Sequence, residues 1–205
     1  MARPAKTSPP KRDRVLDAAW RVFVRHGYAR ATMDEIAAAA GVSKRTVYDH
    51  FTSKERLFGA IVRRRRDEML SGIAVGRLDE RDPDAALTEF GTRHLGMAMS
   101  PAVLELYRVV VAEAPRLREP ARIMFEAGLD RLLSLLAAYL GKLMKSGVLR
   151  ADDPRRSAEG FIGLLAGMPT TLGLMRVPAS RGRREIAAQV AFAVRTFLRG
   201  MRRGP

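Results

Sequence analysis

The stretch from Thr32 to Phe51 constrains the fold more than any other part of the chain, because it has room only for two short helices and one tight turn. Thr32-Met33-Asp34-Glu35 has the pattern of a capping box, in which the threonine hydroxyl and the glutamate carboxylate satisfy free N–H groups at a helix start. Gly41 stops that helix after Ile36 and four alanines, and Ser43 is a good cap for a second helix over Lys44 to Phe51. Ala37 sits where the two helices cross, and Ile36, Val42 and Val47 are predicted to bury the inner faces. Such a pair is a helix-turn-helix. Its second helix offers Lys44, Arg45, Thr46, Tyr48, Asp49 and His50 outward, a set suited to phosphates and base edges. The same pattern also describes an ordinary helical hairpin with a solvated basic face.

Charge weighs toward the first reading. The 205 residues carry 37 Lys+Arg against 22 Asp+Glu, a formal +15. Residues 1–66 hold 16 of the basic and 6 of the acidic groups, so +10 of the excess lies in the first third. That distribution implies a basic module on a more ordinary body, with nucleic acid as the first candidate partner and an anionic membrane surface as the second. Of the basic residues 31 are arginine, which also fits a coding bias.

The chain has no cysteine, which excludes disulfides and thiolate metal sites. The basic start, Met1 to Lys6, has no apolar stretch behind it, so no signal peptide is expected. The most apolar run, Phe161 to Val177, contains Pro169 and two threonines and is expected to be a buried helix rather than a membrane span. These features predict a soluble, cytoplasmic protein with no membrane partner.

Helical periodicity runs through the whole chain, and the predicted fold class is all-α. Residues 1–10, with three prolines, read as a flexible basic arm. Lys11 to His26 is a helix with Val15, Leu16, Ala19, Val22 and Phe23 on one face and Gly27 after its end. Thr52-Ser53-Lys54-Glu55 reads as a second capping box, opening a helix with Leu57, Phe58, Ile61, Val62 and Met69 inward. Further helices are predicted over 83–98, 101–113, 116–146, 154–176 and 183–201, with Asp152-Asp153 capping the one that starts at Pro154.

The unbroken stretch Thr32 to Glu55 resembles the signature of the tetracycline-repressor (TetR) family, and Ala18, Ala19, Phe23, Gly27 and Tyr28 fit that family's first helix. The likeness covers about residues 11–62. Tyr107 to Arg116 and the Asp153-Pro154 helix start are similar to the AefR-like subgroup. The resemblance implies a homodimeric transcription regulator: a DNA-binding domain over 11–55 and a helical ligand-binding and dimerisation domain over 56–205. By position, Thr32 and Ser43 would hold phosphates, Lys44, Arg45 and Thr46 would face the groove, Tyr48 and His50 would clamp the backbone, and Lys54 would meet a phosphate. Arg45 stands where the family often has glycine, and Asp49 where an aromatic or basic residue is commoner.

The partners so implied are double-stranded DNA with a palindromic operator, a small apolar or amphipathic effector, and a second copy of the chain. Met97, Leu104, Tyr107, Met124, Phe125, Phe161 and Met168 are the expected pocket residues, though apolar stripes of this kind also serve as plain core. Gly163 and Gly167, with the stripe Ile186, Val190, Val194 and Phe197, are expected at the dimer interface. The run Arg63 to Arg66 either touches DNA or is a solvated face paired with Asp67 and Glu68. The N-terminal arm, with Arg3, Lys6, Lys11 and Arg12, either tracks into a minor groove or is plainly disordered over its first eight residues.

His26, His50 and His94 are scattered, so no metal site is expected; no nucleophile elbow, glycine-rich phosphate loop or carboxylate pair stands out. An enzyme therefore has no support, and no cofactor or catalytic residue is expected. Two classes remain: a ligand-responsive, sequence-specific regulator, and a sequence-tolerant architectural DNA binder, which would not need some 140 residues of apolar helix behind its basic module.

Overall fold

Local signals account for most helix boundaries. The computed structural model describes residues 10–71, 78–177 and 182–202, so Arg3 and Lys6 of the expected arm lie outside the described residues. Every regular element among them is helical: α1 (Lys11–His26), α2 (Met33–Ala40), α3 (Lys44–His50), α4 (Lys54–Ser71), α5 (Pro83–Ala98), α6 (Pro101–Glu113), α7 (Arg118–Met124), a π-helical stretch (Phe125–Asp130), α8 (Arg131–Lys145), α9 (Pro154–Leu174) and α10 (Arg183–Met201). The chain divides into two compact units, residues 1–65 with 109–123, and residues 66–108 with 124–205.

In the first unit, Val15, Leu16, Phe23, Ile36, Val47, Leu57, Phe58 and Ile61 are all but completely buried. Val42 is only half-buried, and the side chain of Met69 lies outside the described residues. Phe23, Tyr28 and Phe58 meet with ring centroids 5.2–5.4 Å apart, tying the segment after α1 to α4. Gly41 adopts φ 63°, ψ 42°, the left-handed conformation that ends α2 and starts the turn. The Arg14 guanidinium of α1 donates to the carbonyls of Ala40 at 2.7 Å and Gly41 at 3.0 Å, satisfying groups left without helical partners. The second expected capping box is shifted by one residue. Ser53, not Thr52, caps α4, its hydroxyl accepting from Arg56 N–H at 3.2 Å.

The run Arg63 to Arg65 is half-buried rather than a solvated face. Arg64 pairs with Asp17 and, at 3.8 Å, with Asp13; Arg65 lies 5.3 Å over the Trp20 ring; Arg63 is 3.7 Å from Glu119. The side chain of Arg66 lies outside the described residues.

The second unit is a helical layer in which α8, α9, α10 and α5 share one core. Phe161 sits at its centre, edge-on to Phe197 at 5.2 Å and 6.2 Å from Phe90. A side chain at Gly91 would press on Val190 and Leu165 at 3.1–3.3 Å, so glycine here permits α5 to approach α9 and α10. Pro169 lies inside α9 and has no N–H to offer the Leu165 carbonyl. Gln189 of α10 supplies a donor instead, reaching the Leu164 and Leu165 carbonyls at 2.7 and 3.3 Å. Arg108 likewise donates to the carbonyls of Gly173 and Leu174 at the end of α9. Asp153 caps α9 as expected, accepting from Arg156 N–H at 2.9 Å. The single helix expected over 116–146 is instead interrupted in register by the π-helical stretch.

The α10 stripe expected at a dimer interface faces inward. Val190, Val194 and Phe197 are buried in the chain's own core, and Ile186 packs against it. Periodicity identified a buried face, but α5 and α9 cover it. Val194→Glu should therefore place an unpartnered carboxyl in this core and lower stability by at least about 2 kcal/mol. Thermal denaturation followed by circular dichroism checks this; an unchanged melt would mean that Val194 is not a core residue.

Candidate nucleic-acid interface and cavity

Helix α3 is held from one side only. Val47 is fully buried, while Lys44, Arg45, Tyr48, Asp49 and His50 are exposed, Tyr48 by 43%. Both caps expected near phosphates are engaged locally. The Thr32 hydroxyl accepts from Glu35 N–H at 3.1 Å, and the Ser43 hydroxyl accepts from Thr46 N–H at 3.1 Å and shares a 2.9 Å hydrogen bond with the Thr46 hydroxyl. Glu35 pairs with His26 at 3.3 Å.

The Lys44 ammonium is 2.8 Å from Asp34 of α2, and this hydrogen-bonded carboxylate raises its pKa. Both groups are solvent-exposed, so the pair is screened and open to exchange for another anion. Arg45 makes no side-chain hydrogen bond or ion pair among the described residues.

Lys54 points inward. Its ammonium donates to the carbonyls of Tyr28 at 2.9 Å, Ala29 at 3.3 Å and Ala31 at 3.0 Å, and lies 4.4 Å over the Tyr28 ring. Burial and the nearby Glu55 push the Tyr28 hydroxyl pKa well up, so it stays neutral beside that ammonium. Lys54 thus anchors the α1–α2 connection, a role its place in the motif did not indicate.

The second unit holds a half-open cavity of about 320 Å³. Of the expected pocket residues it brings Met97, Tyr107 and Met124 to the wall. Leu104 and Phe161 are core instead, and Phe125 and Met168 point to solvent, 51% and 67% exposed. The wall also contains Gly163 and Gly167, expected only at a dimer interface, together with His94, Leu129, Thr170 and Thr171. Leu129 comes from the π-helical stretch, a local widening of the helix that changes which side chains face inward. In the sequence His94 stands only among three scattered histidines that form no metal site. No spacing signal marks it as a wall residue. Among the described residues no group of three or more His, Asp or Glu is arranged to hold a metal ion, and no single helix is long and apolar enough to cross a membrane.

Comparison with known proteins places this arrangement. Residues 15–61 match the family described as bacterial regulatory proteins of the tetR family, and residues 85–200 match the C-terminal domain of AefR-like transcriptional repressors. The chain belongs to the TetR family. It is a transcriptional regulator, and its relatives are regulators rather than enzymes. Among them, the HTH-type transcriptional regulator BetI of Rhizobium meliloti is 30% identical over 176 residues, 84% of this chain and 82% of that protein. The repressor AcnR of Corynebacterium diphtheriae is 29% identical over 175 residues, 82% of this chain and 87% of that protein. The activator FasR of Mycolicibacterium smegmatis is 49% identical, but only over 63 residues, 31% of this chain and 29% of that protein. The solved structure of the flavonoid-responsive regulator FrrA superposes with a TM-score of 0.82 at 28% identity, over 95% of this chain and 98% of that one.

Lys54→Met in this TetR-family regulator should leave three carbonyls without their charged donor and destabilise the first unit by about 1–3 kcal/mol. Urea denaturation measures it; an unshifted midpoint would remove Lys54 from its structural role.

Proposed function

We propose that this regulator is a cytoplasmic homodimeric repressor whose two α3 helices read a palindromic operator, and that it leaves the operator when a small apolar or amphipathic effector fills the cavity. The observation that carries the reading is the exposed face of α3. There Arg45, Tyr48, Asp49 and His50 stand free on a helix whose opposite side is locked by Val47. Arg45 is long enough to meet guanine O6 and N7 in bidentate fashion. Tyr48 and His50, exposed on the same helix, carry groups that hydrogen-bond a phosphate backbone. Lys44 joins them by exchanging Asp34 for a phosphate, and Thr32 and Ser43 bring helix N-termini toward the same backbone. Lys54 serves the interface through the backbone it anchors.

Repression is favoured over activation because the likeness to the repressor AcnR runs along most of the chain, and residues 85–200 match a repressor domain. The likeness to the activator FasR is confined to a short stretch. The similarity to a flavonoid-responsive regulator supports a small-molecule trigger.

Dimerisation through α9 and α10 rests on the faces those helices leave uncovered. Phe192 of α10 is 49% exposed, Met168 of α9 is also exposed, and nothing lies within 4 Å of where a Cβ would stand at Gly160. A partner helix would bury this apolar surface.

Two measurements test the proposal. Selection of bound sequences from random DNA should return an inverted repeat, with specific sites favoured by roughly 10³-fold or more over random DNA as salt rises. Arg45→Ala should weaken the selected site by about 1–3 kcal/mol and relax preference at one position of each half-site. An unaltered preference would overturn the role of Arg45. Phe192→Glu should give folded monomers by light scattering with circular dichroism unchanged, and those monomers should lose tight binding to the repeat; a persistent dimer would put the interface elsewhere.

A further inference from the structure

Two side chains stand at the outermost positions of α3. At about 100° per residue, Arg45 and Asp49 each lie about 160° round the helix from the buried Val47, while Lys44, Thr46, Tyr48 and His50 flank them. Both are exposed. The charge of Arg45 suits a polyanion, whereas Asp49 is the one acidic residue of α3 and carries the charge of the phosphates themselves. Neither side chain is engaged in a hydrogen bond or ion pair among the described residues. The carboxylates of α2 are occupied, Asp34 by Lys44 at 2.8 Å and Glu35 by His26 at 3.3 Å. Asp49 holds no such partner, although it lies on the face proposed to meet DNA.

A free carboxylate between two phosphate strands is repelled by both unless it meets a donor. In the major groove the base edges offer two kinds of donor, the amino groups at cytosine N4 and adenine N6. The adenine amino group lies between two acceptors, its own N7 and thymine O4, which repel the second oxygen of a carboxylate. Cytosine N4 has an acceptor, guanine O6, on one side only. We infer that Asp49 reads a cytosine in each half-site, its carboxylate accepting from the N4 amino group. This rests on α3 being the reading helix of the proposed function. Four residues of helix laid along the groove advance about 6 Å, and one base-pair step about 3.4 Å, so the cytosine lies about two steps from the guanine taken by Arg45. An arginine and an aspartate one turn apart thus specify two G·C pairs by opposite chemistry, one donating and one accepting. The carboxylate contributes selectivity rather than affinity: it weakens attraction to every sequence and is offset only where the cytosine stands.

The test is selection from random duplex DNA by the full-length protein, by Arg45→Ala and by Asp49→Ala, with the recovered sites compared position by position. The unsubstituted protein should return a half-site containing a cytosine that Asp49→Ala relaxes, about two steps from the guanine that Arg45→Ala relaxes. In direct titrations, replacing that cytosine should weaken binding of the unsubstituted protein by roughly five- to 150-fold, the span of one mismatched base pair, and that of Asp49→Ala by about twofold or less. Asp49→Ala should also bind random DNA more tightly, because it sheds a charge like that of the phosphates. A base preference unaltered in Asp49→Ala would overturn the inference. So would a change opposite a base other than cytosine, or a loss confined to the guanine position, which would make Asp49 a positioning residue for Arg45. The two proposals fail separately. If the unsubstituted protein selects no specific site, the reading helix is wrong and the inference falls with it; a specific site that Arg45→Ala relaxes and Asp49→Ala leaves untouched sinks the inference alone.

Discussion

The carbonyl oxygens at the end of α2 and in the connection between α1 and α2 are the constraint on which the first unit is built. Each helix end exposes such groups, and a short helix has few other means of satisfying them. Here two basic side chains from other helices do so. Arg14 closes the end of α2 at Ala40 and Gly41, and Lys54 gathers the carbonyls of Tyr28, Ala29 and Ala31. These are charge-assisted bonds, stronger than their neutral counterparts. They hold α2 and the connection before it, and so set where α3 stands.

This alters what the basic composition means. An excess of +10 in the first 66 residues suggests a surface made for a polyanion. Arg14, Lys54 and Arg63 to Arg65 are instead bound to carbonyls, carboxylates or an aromatic ring inside the first unit. The charge left facing outward from α3 is small, and its arrangement matters more than its amount. Long-range attraction to DNA is a matter of net charge, which these internal bonds leave intact, whereas base reading depends on a few free donors at fixed positions. Arg45, exposed on α3, is the side chain proposed for that role.

The second unit uses opposite means. Its interior is held by aromatic and aliphatic packing around Phe161, and two polar side chains repair a helix backbone: Gln189 beside Pro169, Arg108 at the end of α9. Proline inside a helix is ordinarily disruptive because a carbonyl loses its donor. In α9 the lost bond is replaced from α10, which binds the two helices to each other. The first unit is thus basic and stabilised by charge-assisted caps, and the second is built around an apolar core with a half-open cavity beside it.

Much of this was legible in the sequence because the signals are local. Thr32, Gly41, Ser43 and Asp153 mark helix ends through bonds to residues within a few positions, and the run from Thr32 to Glu55 is dense enough to indicate the family. Periodicity likewise revealed that Val190, Val194 and Phe197 lie on a buried face. It carries no information on what buries them, since burial against α5 and burial against a second chain leave the same stripe. The tertiary structure decided that question, and with it the inward course of Lys54 and the wall of the cavity. That wall gathers residues from α5, α6, α9 and the π-helical stretch. A helix boundary is a short-range property of the chain, whereas a cavity is made of the surfaces that packed helices fail to fill, and no single segment records it.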